Sequence, residues 1–443
     1  MNAGHVLHRS TLATPPVAVR GEGIFLIDAD GRRYVDACGG AAVSCLGHAR
    51  PEIVAAIAEQ AARLEYAHTG FFTSEAAEEL ASLIAERSPG ALDRVWFTNS
   101  GSEAIEAALK LARQYHLERG EAGRTRIIAR KLSYHGNTLG ALGAGGNAWR
   151  RVPYEPLLVE ASLIEPCFEY RFARPGESAE DYGQRAAKSL EEEILRLGPQ
   201  SVIGFLAETV VGATSGAVPP AGAYLQHIRK ICDRYGLLLI LDEVMAGSGR
   251  TGTFLACEQD GVVPDIVTLG KGLGAGYQPI GAAVCTCHVY DAVARGSGAL
   301  KHGQTYNAHV VGCAAALAVQ RLVEEERLLD HVEQAGKRLM QLLNQRFGAH
   351  PNIGDIRGRG LLVAMEIVSD RATKAPMGPE LAMHQQVKAA AFARGLLVYP
   401  GGGTIDGRNG DHVLLAPPYN VTDGELEMIV DLLGQTINEV LPS

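Results

Sequence analysis

The sequence predicts an α/β fold, a mostly parallel sheet covered by helices and joined to a smaller α+β domain. Between residues 94 and 270, short apolar runs of strand length alternate with stretches of helical apolar spacing. Beyond residue 325 that alternation gives way to a long charged helix, short strands and two more helices, which reads as a second domain. Polar residues also collect just past the strand ends: Ser100 to Ser102, Tyr134 and His135, Glu208, Asp242 and Glu243, and Lys271. Open parallel sheets bind ligands beyond the carboxyl ends of their strands.

The elements follow in order. Residues 22–37, EGIFLIDADGRRYVDA, read as two strands around the turn Asp28-Ala29-Asp30-Gly31. Residues 51–66 open with Pro51 in the first turn of a helix, and Ser74 caps a second helix over 74–87. RVWFTN (94–99) precedes the helix SEAIEAALKLARQYHLE, and RIIAR (126–130) precedes SYHG. VIGFLAE (202–208) leads through a loop into the helix YLQHIRKICDRYG, followed by LLLILDE (237–243) and DIVTLG (265–270). Near the end come a helix over roughly 320–346, GRGLLVAMEIV, a helix near 380–394, GLLVYPG, HVLLAPP and a terminal helix. The expected division is 1–65 as the N-terminal segment of the small domain, 66–325 as the large domain and 326–443 as the C-terminal part of the small domain.

The chain has 443 residues, 47% hydrophobic and 21% charged, which is ordinary globular composition with ample length for a large core. Its formal charge of -9, with no basic block, argues against a nucleic-acid partner. No apolar run approaches the ~18 residues of a membrane span, and the N-terminal stretch lacks the apolar region of a signal peptide. Eight cysteines are scattered. The nearest pair, Cys285 and Cys287, lacks the usual zinc or redox spacing, so buried free thiols, no metal site and a reducing cytoplasm are expected.

Three stretches carry chemistry. In TNSGSEAIEAALKLAR (98–113), a strand, Ser-Gly-Ser and an amphipathic helix make an anion site, because the unpaired N–H groups of a first helical turn point outward. Taken alone, Ser100 or Ser102 would equally serve as a plain helix cap. In DIVTLGKGLGAGYQPIGAAV (265–284), Gly270, Gly272 and Ala275 fit a dinucleotide fingerprint, but that motif must open a helix and GYQPIGAAV reads as turn plus strand. A lysine at this strand end would lose solvent, drop in basicity and serve as an amine nucleophile; a solvated loop charge is the plain alternative. In LLLILDEVMAGSGRTG (237–252) a buried strand ends in two carboxylates, and a buried charge is costly unless paired. Asp242 precedes Lys271 by about one crossover, so neighbouring strand ends bring both into one crevice. A carboxylate, an imine-forming lysine and an anion-binding helix start are what pyridoxal phosphate requires. The phosphate takes the helix N-terminus, the lysine the aldehyde and the carboxylate the protonated ring nitrogen.

Over nearly its whole length the sequence resembles the class III (ω-type) aminotransferases of fold type I. The ordered set runs from YVDACGGAAVSCLGHARPEIVAAI through FTNSGSEAIEAALKLAR, SYHGNTLGA, LAETVVGATSGAVPPAGAY, LILDEVMAGSGRTG, VTLGKGLGAGYQPIGA and HGQTYNAHVVGCAAALA to RGRGLLVAMEI and LLAPPYNVT. The resemblance implies a large domain with a mostly parallel sheet of the seven-stranded type and a small domain built from both chain ends. It also implies that Lys271 carries the cofactor and shuttles the proton. Asp242 would hold the ring nitrogen, with Val244 and Tyr134 on opposite ring faces. Ser100, Gly101 and Ser102 would bind the phosphate, and Thr305 would reach it across the interface of an obligate homodimer. Glu208 and His135 would lie near the ring. Each has a plainer alternative: Tyr134 and Val244 as core, His135 as a hydrogen-bonded structural histidine, Glu243 as a loop support.

The implied reaction moves an amino group from an amine or ω-amino acid donor to a keto acid such as pyruvate or 2-oxoglutarate in ping-pong fashion. Many members have Glu-Pro and a glutamine where this chain reads AETVVGATSGAVPP; Thr209 replaces the proline and Val211 falls near the glutamine, against a strict γ-aminobutyrate or ornithine specificity. Arg408 lies near where ω-amine:pyruvate transaminases carry a mobile arginine for carboxylates, with a solvated loop arginine as the alternative. Ala42, Val43, Phe71 and Phe72 would line the substrate pocket or else be core. The alternatives on the same fold are an aminomutase, a decarboxylase or a lyase. From another class, a non-catalytic module could keep the pyridoxal pocket for binding alone.

Overall fold

The computed structural model describes residues 5–441. Its central sheet has seven strands in the order Leu92–Thr98, Gly281–Thr286, Ile266–Leu269, Leu238–Asp242, Val202–Glu208, Arg126–Arg130, Ser162–Ile164. Gly281–Thr286 pairs antiparallel with both neighbours, and the other pairings are parallel. Every residue of Val202–Glu208 and Leu238–Asp242 is buried, as expected of parallel strands with helices on both faces. Their side chains alternate between two cores. Phe205, Leu239 and Leu241 pack with Leu190, Ile194, Leu225 and Ile228 on one face. Leu206, Leu238 and Ile240 pack with Ile105, Ala108 and Leu111 on the other.

A further core joins the two ends of the chain. Ile24, Val35 and Ile53 pack with Leu339, Val363, Leu396, Leu415 and Leu433. Strands Ala18–Glu22, Phe25–Asp28, Arg33–Asp36 and Leu396–Leu397 form one small sheet, in which Leu396 and Leu397 run parallel to Val35 and Asp36. Ile353–Arg359, Leu362–Ile367, Asp411–Leu415 and Tyr399–Gly402 form an antiparallel sheet beside it.

Three differences from the sequence reading have local causes. The single helix expected over 320–346 is two helices, Val310–Glu325 and Leu328–Phe347, because Arg327 adopts a left-handed φ of 53° that no helix interior accepts. The cap of the helix Gly101–Glu118 is Ser100, whose Oγ accepts from Glu103 N at 3.2 Å, whereas Ser102 Oγ accepts from Asn137 N at 3.1 Å. The helix Ala179–Leu197 and the edge strand Ser162–Ile164 had no counterpart in the sequence reading.

Candidate active site

The parallel register sets the site. Glu208 lies opposite Asp242 on the neighbouring strand, and Asp242 lies opposite Thr268 on the next. Lys271 follows two residues after that last strand ends at Leu269. Its φ of 41° is one a lysine rarely adopts, so the turn is held by its surroundings. The side chain is half-buried and lines a cavity of about 470 Å³ with Asp242 and Glu208. Loss of solvent pushes the Lys271 amine below its ordinary basicity, while the charges of Asp242 and Glu208 oppose that fall.

The two carboxylates that end the strand face different partners. Asp242 Oδ1 accepts from Val244 N at 3.0 Å, and its Oδ2 lies 2.8 Å from His135 Nδ1. A carboxylate accepts only, so Nδ1 donates. His135 Nε2 is buried and has no partner among the described residues. Glu243, fully buried, accepts from Thr209 Oγ1 at 2.7 Å, from Cys257 N at 2.8 Å and from Ala256 N at 2.5 Å. It is therefore a loop support and does not line the cavity. Glu208 accepts Tyr134 N at 3.0 Å and Gly212 N at 2.9 Å, and burial pushes its carboxyl above the usual range.

The start of the helix Gly101–Glu118 enters the same cavity with Ser100, Gly101 and Ser102. A side chain at Gly101 would put its Cβ 2.6 Å from Val244 Cγ1, so this glycine lets the helix start come up against the valine. Gly136 has a φ of 133° and passes just as closely to Ser102. Tyr134, His135 and Val244 complete the set, so nine of the residues expected from the sequence border one space.

Six expected residues do not, among them Ala42, which packs in a small core with Val210 and Met245, and Phe71, exposed beside Phe72. Arg408 borders an adjoining cavity of about 670 Å³ and not the inner one; it sits in the tight loop that Gly403 N closes onto the Gly410 carbonyl at 2.8 Å. Phe72 is 68% exposed in the surface loop before the helix Glu75–Arg87. Val43 packs towards Gly276, away from the cavity lining. Thr305 is exposed, and its carbonyl accepts from Tyr66 OH at 2.9 Å. Within one chain, then, Phe72, Val43 and Thr305 line neither cavity. Conversely, the inner cavity includes Arg9, Gly40, Ala41, Arg150, Val210, Ala213, Met245 and Tyr399, which the sequence reading had not picked out. They come from six separate stretches, and no local pattern marks them.

An amine of lowered basicity, a buried carboxylate and a helix start opened by Gly101 suit a cofactor with an aldehyde, a basic ring nitrogen and a phosphate. The spare His135 Nε2 shows that the histidine is aimed by Asp242 alone. Among the described residues no cluster of His, Cys, Asp or Glu could hold a metal ion. Fold and site together define a transferase of fold type I.

The profile of the family described as aminotransferase class-III matches residues 7–437, and the chain belongs to that family. It is 45% identical over 438 residues to an uncharacterized aminotransferase of Schizosaccharomyces pombe, covering 99% of this chain and 95% of that one. Among solved structures it resembles a thermostable (S)-enantioselective omega-transaminase of Thermomicrobium roseum, with a TM-score of 0.92, 34% identity and coverage of 99% and 97%. It also resembles the omega transaminase of Pseudomonas jessenii in complex with PMP, with a TM-score of 0.90, 32% identity and coverage of 96% and 93%. The protein is an aminotransferase.

Proposed function

We propose that this aminotransferase uses pyridoxal phosphate to move an amino group from an amine or ω-amino acid to a keto acid such as pyruvate or 2-oxoglutarate, in two half-reactions of a ping-pong cycle. The observation that carries this is the meeting of Lys271, Asp242 and the Ser100–Ser102 helix start in one cavity. When bound, the cofactor supplies an aldehyde that captures amines and a ring that accepts an electron pair.

The remaining roles belong to the chain. Backbone N–H groups at Gly101 and Ser102 hold the phosphate. Asp242 faces the ring nitrogen with its carboxylate oriented by His135 and the Val244 N–H. Val244 and Tyr134 would flank the ring, and Glu208 fixes the Tyr134 backbone. Lys271 Nζ would anchor the cofactor and would take the proton from the substrate carbon. Its depressed basicity keeps a larger fraction of the amine neutral for both tasks.

The working unit in this reading is a homodimer with shared sites, in which Thr305 serves the phosphate of the second copy. Its support is a run of exposed aromatic side chains, Phe71, Phe72 and Tyr306, at 82%, 68% and 56% exposure. The large unit spans 66–325, and 1–65 with 326–443 make the small one, in keeping with the core shared by the two chain ends. A cytoplasmic setting fits eight free cysteines, seven of them buried. Among the described residues no helix is long and apolar enough to cross a membrane.

A panel of donors and acceptors read by cofactor absorbance tests the reading. A donor alone changes the absorbance, a keto acid alone then restores it, and Lys271→Ala responds to neither. Product formed without a second substrate would instead indicate an aminomutase, decarboxylase or lyase. Bound cofactor with no response to any donor would indicate a binding module.

A further inference from the structure

The inner cavity shares Arg9, Tyr134, Arg150, Ala213 and Tyr399 with the adjoining cavity of about 670 Å³. Four cationic side chains border that outer space, Arg9, Arg150, Lys388 and Arg408, and its described lining contains no Asp or Glu. The chain as a whole carries 41 Lys and Arg against 50 Asp and Glu, so this concentration of positive charge runs against the background. Most arginines that approach a carboxylate here are paired with it, as Arg357 is with Glu366 and Arg359 with Asp260. None of the four has a salt-bridge partner among the described residues.

Arg150 is the best placed. Its guanidinium lies 4.9 Å from the ring centroid of Tyr134 and 4.5 Å from that of Trp149. The two aromatic faces hold it at the boundary of the cavities. Its Nε is buried without a partner. Lys388, which also borders this vestibule, stands exposed on the helix Met383–Ala393 and makes no hydrogen bond or ion pair among the described residues. Arg150 therefore borders both the cavity that holds Lys271 and the outer space.

We propose that this vestibule selects substrates carrying a second anionic group away from the reacting carbon, dicarboxylic amino and oxo acids or their phosphoryl counterparts, with Arg150 binding that group and Lys388 assisting. The proposal rests on the function given above and deepens it. An unpaired guanidinium offers a fork of donors that matches a carboxylate or phosphoryl oxygens. A cleft lined by one sign of charge also concentrates ligands of the other sign. Substrates with a single negative charge gain less from both.

The test uses unreactive probes on the holoenzyme, with binding followed by calorimetry: glutarate, 3-phosphonopropionate and butyrate. At least one dianion should bind about tenfold more tightly than butyrate, and its identity names the anion. R150M should abolish that preference, and R150K should restore part of it. K388M, which touches no aromatic partner, should weaken the preference, and it decides the matter if R150M does not fold. Equal binding of all three probes, or a preference that survives R150M, overturns the proposal. Because the probes do not react, a dianion preference without amino transfer would sink the function above and leave this inference standing. Amino transfer without the preference would do the reverse.

Discussion

His135 Nδ1 and Asp242 Oδ2 lie 2.8 Å apart, both side chains buried, with the other oxygen of Asp242 taken by the Val244 N–H. The carboxylate is thus aimed by two donors from different elements. Replacing His135 with Ala leaves Oδ2 without its partner at a cost of about 1–3 kcal/mol, the price of one unmet buried group. Cofactor retention should fall by about tenfold or more, read as pyridoxal phosphate lost on dialysis. Retention equal to the wild type would show that the histidine does not position the carboxylate.

Gly101 and Val244 form a second such pair. A methyl group at position 101 would stand 2.6 Å from Val244 Cγ1 and 3.0 Å from Cγ2. Gly101→Ala should cost roughly 1–3 kcal/mol through overpacking and weaken cofactor binding. The double variant with Val244→Ala should recover part of that stability, which a double-mutant cycle by thermal melting measures. Simple additivity would place the clash elsewhere.

Glu243 serves the fold. Gln at this position keeps one acceptor oxygen and presents an amide donor to the N–H of Ala256 or Cys257. Glu243→Gln should lower stability by about 1–3 kcal/mol in denaturant unfolding. Cofactor affinity should stay within about twofold, since the side chain lies outside the cavity lining. A large loss of affinity without loss of stability would reverse the assignment.

Lys271 gives the pH dependence. Its basicity is lowered in the folded state, so between that lowered value and the ordinary lysine value of 10.5 the unfolded chain binds more protons than the native one. Stability of the cofactor-free protein should therefore rise with pH across that window, and the burial cost is fully felt below it. Lys271→Met removes the cost. The cofactor-free variant should melt above the wild type near about pH 7, and the gap should narrow as pH approaches about 10. A gap that widens with pH would mean the amine is stabilised in its charged form.

Much of this site was legible in the sequence because its groups sit at strand ends. Apolar runs that stop at Glu208, Asp242 and Gly270 fix where the strands end, and parallel pairing then brings those ends together. Ser100 and Gly101 were legible for a similar reason, since a strand followed by a capped amphipathic helix has a local signature. Arg9, Arg150 and Tyr399 were not, because they meet the cavity through long-range packing that leaves no periodicity behind. Arg327 escaped because a left-handed arginine between two helices looks like any other charged residue of a continuous helix. Thr305 was placed by an expectation about two chains and Phe72 by an expectation of the substrate pocket, and a single chain leaves both on its surface.

The account turns on a single amine and a single acid gripping one cofactor. Borohydride reduction of the protein with pyridoxal phosphate, followed by peptide mass mapping, tests this most directly. The account predicts one pyridoxyl adduct, on Lys271, whose yield falls sharply in Asp242→Ala. An adduct on another lysine, or full labelling of Lys271 with tight retention in the Asp242 variant, would contradict it.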